Sequence, residues 1–190
     1  MISEDKINLN FVRWIDYLQK YDCYSEAMIN DIGEKIKLAP FNMSEKMGGA
    51  YVGGLIDVTL NHLCKIAFNI NENGISSSQL KVNTHLLIKV CLLQHISKAL
   101  MFVYNDNEWK RKNGQPFEFD KDIPTKLKIG EKSLYLCQKY GITLSEEEFE
   151  AILIIDKEQD KITQYNSTLA IITNFANQLT NKQLLILQNS

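Results

Sequence analysis

The sequence predicts a mostly α-helical single domain, residues 1–190, with one small β-hairpin. Three observations carry that expectation. Apolar residues recur at steps of three and four through most of the chain, the period of a helix with one buried face. Only three prolines interrupt 190 residues, so long helices are permitted. The period changes in one stretch, about residues 101–120, where strand-forming residues flank an Asn-Gly pair.

Taken in order, Ile7, Phe11, Trp14, Ile15 and Leu18 give an amphipathic helix from about Asp5 to Lys20. Ser25 is placed to cap a second helix that runs towards Leu38 and stops before Pro40. The segment "MGGAYVGGL", residues 47–55, follows with four glycines in seven positions. It allows a close backbone approach or a sharp turn before a helix. That helix continues through Leu55, Leu60, Leu63 and Ile66 into a loop expected over 69–78. A helix from about Thr84 to Leu100, apolar on nearly all sides, should be central. Asn113-Gly114 marks the hairpin turn, and Pro116 just after it suits an edge strand. Helical patterns return at about Leu127–Lys139 and at Ser145, which forms a capping box with Glu148. A last helix is expected over about Thr168–Leu179, followed by a short tail.

Composition narrows the function classes. Apolar residues at 45% and charged residues at 23% are ordinary globular values, and a chain this long can bury roughly 70% of its unfolded surface. A net charge of −2 gives no reason to expect nucleic acid or an anionic membrane as partner. The four cysteines, at 23, 64, 91 and 137, form no C-x-x-C pair and read as buried, reduced thiols. The beginning "MISEDKINLN" is too polar for a secretory signal, and the most apolar run is broken by Lys89, His95 and Lys98. A cytoplasmic protein is the expectation.

Several segments, read together, carry a resemblance. They are "GGAYVGGLIDV" at 48–58, "LLQHISK" at 92–98, the hairpin, "IGEKS" at 129–133, "AILIIDK" at 151–157 and "LAIITNFAN" at 169–177. In their order, and in the spacing of the glycine segment and "GEKS", they resemble the HD-domain metal-dependent phosphohydrolases, specifically a compact bacterial and phage branch, over roughly residues 24–180. The resemblance implies an HD-domain-like helical bundle. In that family imidazoles and carboxylates hold the metal that makes a bound water nucleophilic.

Carried over position by position, the expected ligands fall on Gly48, Val58, Gln94, His95, Ile129, Ile155 and Asn177. Gly, Val and Ile offer no side-chain donor, and Gln94 and Asn177 are neutral amides, poor transition-metal ligands. A single His does not hold a catalytic metal that needs three or more protein ligands. The apolar replacements fit a metal cavity refilled as core, where each buried Val or Ile contributes roughly 1.5–3 kcal/mol. Lys98, four residues after Gln94 on the same helix face, and Glu131 are retained. The expected remnant pocket is therefore Gly48, Val58, Gln94, His95, Lys98, Ile129, Glu131, Ile155 and Asn177, with no metal or other cofactor and no catalytic residue.

Other readings compete. Asp57, His95 and Asp156 each neighbour a lost ligand position and would form a displaced metal site, but only if three helical registers each slipped by one residue. The glycine segment has a phosphate-binding reading. "EWKRKNG" at 108–114 sets Trp109 among Lys110, Arg111 and Lys112, a cluster suited to single-stranded nucleic acid but more simply a solvated hairpin tip. His62 and His85 lack ligand spacing, and the Ser76–Ser78 run lacks a nucleophile motif. The leading expectation is a catalytically inactive HD-like protein that binds a protein partner or a nucleotide-like ligand. A phosphohydrolase with altered chemistry and a self-associating structural protein are the alternatives. A polar pocket would favour the ligand, an apolar surface patch the partner.

Overall fold

The structure is a computed structural model that describes residues 2–74, 80–156 and 166–188. Helix α1, Glu4–Lys20, starts at Ser3, whose hydroxyl accepts from the Lys6 amide. Glu4 and Asp5 at its start and Lys20 at its end complement the helix dipole. It buries Asn10, Trp14 and Leu18, four residues apart on one face. Ser25 caps α2, Glu26–Leu38, and also donates to the Tyr140 carbonyl at 2.8 Å, tying the start of α2 to a residue 115 positions away in sequence.

After a 3-10 turn at Glu45–Met47 come α3, Gly54–Val58, and α4, Cys64–Asn69. They form one helical rod, because a wide turn at Thr59–Leu63 joins them, and a second wide turn extends the rod through Ile70–Gly74. The loop expected over 69–78 therefore begins later than the sequence indicates, and residues 75–79 lie outside the described residues. Asn71, buried, accounts for the extension: it exchanges hydrogen bonds with the backbone of Val82.

Helix α5, Thr84–Leu93, is the central element, with every residue from Leu87 to Leu93 buried. It ends seven residues before the expected Leu100, at a turn over 94–97 that leads into the single turn α6, Lys98–Met101. Strands β1, Phe102–Tyr104, and β2, Phe117–Phe119, pair antiparallel with Phe102 opposite Phe119. No two-residue turn joins them. A short helix α7, Glu108–Lys112, fills the connection, and Gly114, at φ +77°, follows its C-terminal end rather than forming a tight hairpin.

Helix α8, Ile129–Lys139, is followed by α9, Glu146–Leu153, which has the predicted Ser145–Glu148 capping box, and by a 3-10 turn at Ile154–Asp156. Helix α10, Thr168–Gln188, absorbs the expected tail and runs nine residues beyond Leu179.

Helix α5 packs against α1, α4, α9 and α10, and α10 also packs on α4 and α9. One continuous cluster of buried apolar side chains reaches from Trp14 through Leu63, Leu87 and Ile152 to Leu184. Within it, Lys89 on α5 meets Glu148 on α9 at 3.0 Å and donates to the Thr143 carbonyl. Both residues are buried, and the extra hydrogen bonds are what make such a pair tolerable in a core. All four cysteines are free and buried. No helix among the described residues is long and apolar enough to cross a membrane.

Candidate functional site

The turn that ends α5 is shaped by α8. The Ser133 hydroxyl donates to the Gln94 carbonyl at 3.0 Å and accepts from the Ser97 amide at 3.3 Å. It thus occupies groups a continuous helix would use for itself, and the backbone tightens to bonds such as Lys98 N–H to the His95 carbonyl. Ser97 in turn donates to the Ile129 carbonyl at 2.8 Å. The segments "QHIS" and "IGEKS" are therefore clamped face to face. Ser97 and Ser133, both fully buried, are the positioning residues that sequence reasoning missed. The signal was a serine in each of the two quoted segments.

The clamp aims Gln94 and His95 at α10. Asn177 donates to Gln94 Oε1 at 2.8 Å and to the Thr173 carbonyl at 3.1 Å. Its Oδ1, 2.9 Å from His95 Nε2, can only accept, so the imidazole carries its hydrogen on Nε2. His95 Nδ1 and Gln94 Nε2 are enclosed and have no protein partner among the described residues. Burial, reinforced by the nearby Lys98 charge, holds the His95 pKa well below its ordinary value, with the Asn177 bond working the other way. The result is a neutral amide–amide–imidazole chain with Asn177 in the middle.

Lys98 lies beneath it. Its ammonium donates to the Phe41 carbonyl at 2.7 Å and sits 3.6 Å from the centroid of the Phe41 ring. The edge of that ring meets His95. Because the helix breaks at Gln94, Lys98 belongs to α6 rather than to the α5 face that helical spacing had assigned it.

The glycine segment holds Phe41 in place. The Gly49 carbonyl accepts from the Phe41 amide at 2.9 Å, and a Cβ on Gly49 would press on Phe41 and Val58. Gly48, at φ +71°, lies against Leu184 of α10 with no room for a side chain. The same geometry counts against the phosphate-binding reading. The amides of Gly53, Gly54 and Leu55 already donate to the carbonyls of Leu38, Tyr51 and Ala39, so none is turned outward for an anion.

Of the nine predicted positions, Gln94, His95, Lys98 and Asn177 come together, with relative exposures of 0%, 9%, 4% and 8%. Val58 is fully buried beside Gly49, and Gly48 is held against α10. Ile129 reaches the group only through its carbonyl. Glu131 stands apart: its carboxylate caps the start of α8 by accepting from the Lys128 amide, and it lines a surface cleft of about 460 Å³ with Leu134, Tyr135 and Phe149. Ile155 is half-buried in the 3-10 turn after α9. An open polar pocket built from these residues is thus not what the chain forms. Gln94, Asn177 and His95 bond to one another inside the core, leaving His95 Nδ1 and Gln94 Nε2 without a partner among the described residues.

The displaced metal set also comes apart. Asp57 accepts from Asn10 at 2.9 Å, Tyr51 at 2.7 Å and Asn61 at 2.8 Å, with Lys6 at 3.5 Å, and ties α1 to α3. Burial works to raise its pKa, but these bonds and Lys6 outweigh it and hold the carboxyl below the usual carboxylate range. The Asp156 side chain lies outside the described residues. Among the described residues, no three His, Cys, Asp or Glu converge as a metal would require. The donors present around His95 do not fit the metal that the resemblance implies.

The remaining candidates have ordinary partners. His62 Nδ1 lies 3.0 Å from Gln183 Oε1, and His85 packs on Tyr21. Ser76–Ser78 lie outside the described residues. In the basic segment, Lys110 pairs with Glu118 and Lys112 with Glu108, while Arg111 donates to the Asn105 carbonyl over the Tyr104 ring. Those charges are largely engaged within the protein, which weakens the nucleic-acid reading.

Compared with known proteins, the chain matches no protein-family model, no curated protein and no solved structure. The HD-domain resemblance therefore rests on the sequence segments alone.

Proposed function

We propose that this chain is a catalytically inactive, HD-domain-like protein that acts by binding a protein partner. The observation that carries the reading is the neutral chain Gln94–Asn177–His95. Three positions that the resemblance maps onto metal ligands, more than 80 residues apart in sequence between α5 and α10, lie within hydrogen-bonding distance of one another. They carry amides and one uncharged imidazole where a hydrolytic metal would need anionic or several imidazole ligands. Their burial favours a protein partner over a nucleotide-like ligand, because a ligand needs a concave site with access.

Metal content after exposure to Mn²⁺, Fe²⁺, Zn²⁺ and Mg²⁺, followed by thermal unfolding with each ion and with nucleotides, tests the proposal. The expected outcome is no stoichiometric metal and an unchanged Tm throughout. A metal retained in one-to-one ratio, and lost in His95→Ala, would overturn it in favour of a hydrolase. A nucleotide-induced rise in Tm that His95→Ala abolishes would point instead to the ligand-binding alternative.

A further inference from the structure

We propose that the outer face of α10 is an interface between two copies of this chain, packed antiparallel about a two-fold axis near Gln178 and Leu179. The inference does not depend on the function proposed above, since an enzyme would present the same face.

Helix α10 buries a mixed face, on which Leu169, Ala170, Ile172, Ala176 and Leu184 join the apolar core alongside polar residues. Its polar residues Thr173, Asn174, Asn177 and Thr180 are buried. Asn177 serves the chain to Gln94 and His95, and the hydroxyls of Thr173 and Thr180 donate to the carbonyls of Leu169 and Ala176. What the helix shows to solvent over the same turns is apolar: Ile171 (38% exposed), Phe175 (49%) and Leu179 (39%), continued by Ile186 (58%). A surface helix ordinarily turns these two sets the other way round, and an apolar stripe left outside marks a contact surface.

The stripe has the geometry of a helix seam. Ile171, Phe175, Leu179, Lys182 and Ile186 follow one another at steps of four, four, three and four, the spacing of coiled-coil contact positions. At 100° per residue they fall within about 80° of the circumference and extend about 22 Å along the axis.

Charge and register identify the occupant. Lys182 is the one charged residue in the 21 of α10, so a strongly acidic or basic partner finds little to recognise, whereas a second copy meets almost no repulsion. Laid antiparallel about the stated axis, Ile171 faces Ile186 of the second copy, and Leu179 lies beside its own equivalent. Phe175 faces Lys182 of the second copy, whose stem covers the ring while its ammonium lies over the ring face. The two lysines then sit about 10 Å apart along the axis, roughly one Debye length at 0.1 M salt. A parallel pairing would stack lysine on lysine. The stripe is narrow against the roughly 800 Å² that each partner contributes to a standard interface, so the dimer is a weak one.

Sedimentation equilibrium between about 5 and 500 µM tests the proposal. The expected result is a mass rising from the 21.9 kDa of the monomer towards twice that value. Leu179→Glu, which sets two carboxylates together at the axis, and Phe175→Lys, which sets lysine against lysine, should both remain monomeric at every concentration, with circular dichroism and Tm unchanged. The pair Phe175→Lys with Lys182→Glu should associate again, because the register brings the new charges together. A wild-type chain that is monomeric throughout, or a dimer indifferent to Leu179→Glu, would overturn the proposal and leave the stripe to a different protein. Failure of the double variant to reassociate would overturn the antiparallel register.

Discussion

His95 is held neutral by its surroundings, and the consequence can be read in solution. In the unfolded chain an imidazole takes a proton near pH 6.5. In the folded protein burial and the Lys98 charge keep the His95 pKa well below that value. Between the two values the unfolded state binds the extra proton, so folding is favoured above about pH 6.5 and weakens as pH falls towards the folded pKa. At one unit below 6.5 the loss is about 1.4 kcal/mol from this one group. Urea unfolding of the wild type and of His95→Gln at pH 7.5 and pH 5.5 should show the wild type losing roughly that much more than the variant. Equal losses would mean that His95 is accessible to protons in the folded state. The Asp57 carboxyl, shifted in the opposite sense relative to its charge, gives a separate window. It supports folding above the ordinary carboxylate range and stops doing so only as pH falls through its lowered value.

At the scale of elements, helices were legible where the apolar period and a cap agreed. The α2 bounds and the α9 start follow from Ser25, Pro40 and the Ser145–Glu148 box, all local signals. The failures came where a distant partner decided. Nothing near Gln94 in sequence announces the end of α5, because the hydroxyl that claims its carbonyl belongs to Ser133, 39 residues away. Asn113-Gly114 suggested a tight turn, but Asn107 caps a helix first by accepting from the Lys110 amide. The glycine segment was read correctly as a place of close approach, although not of what it approaches. Its demand can be separated from ordinary turn strain. A Cβ on Gly54 would collide with the Gly49 carbonyl, which cannot move without releasing Phe41, whereas Gly141, at φ +69°, has nothing within 4 Å. Gly141→Ala should therefore cost only about 1 kcal/mol, the penalty of left-handed backbone. Gly54→Ala should cost several times as much, in the about 2–4 kcal/mol range of strained or disrupted cores. Chemical denaturation of both variants checks the ratio. Equal costs would remove the glycine segment from its role as the brace of Phe41.

Across the whole molecule, the amide and imidazole positions were foreseen as a group, since side chains at 94, 95 and 177 could be placed by the order of quoted segments. That they would close on one another could not be foreseen, because burial depends on how α5, α8 and α10 converge. The same convergence sets a test of whether the chain unfolds as one unit. Cys23, Cys64, Cys91 and Cys137 lie at four separated points of the chain, and all belong to the one buried cluster. Burial pushes the Cys23 and Cys137 thiols up to about 12, and the adjoining Cys64 thiol together with burial holds Cys91 well above the ordinary value. Reaction with a thiol reagent requires a thiolate in contact with solvent, so each cysteine reports an opening of its own surroundings. If the core opens cooperatively, native protein with excess reagent at pH 7.5 should label all four cysteines with a single slow rate, and urea should accelerate them in step. Peptide mapping of the labelled sites at intermediate times would show no partially modified order. Early labelling of Cys23 alone, between α1 and α2, would instead show that α1 detaches while α5, α8 and α10 remain packed, making the Asp57 ties to Asn10 and Lys6 the weakest seam in the fold.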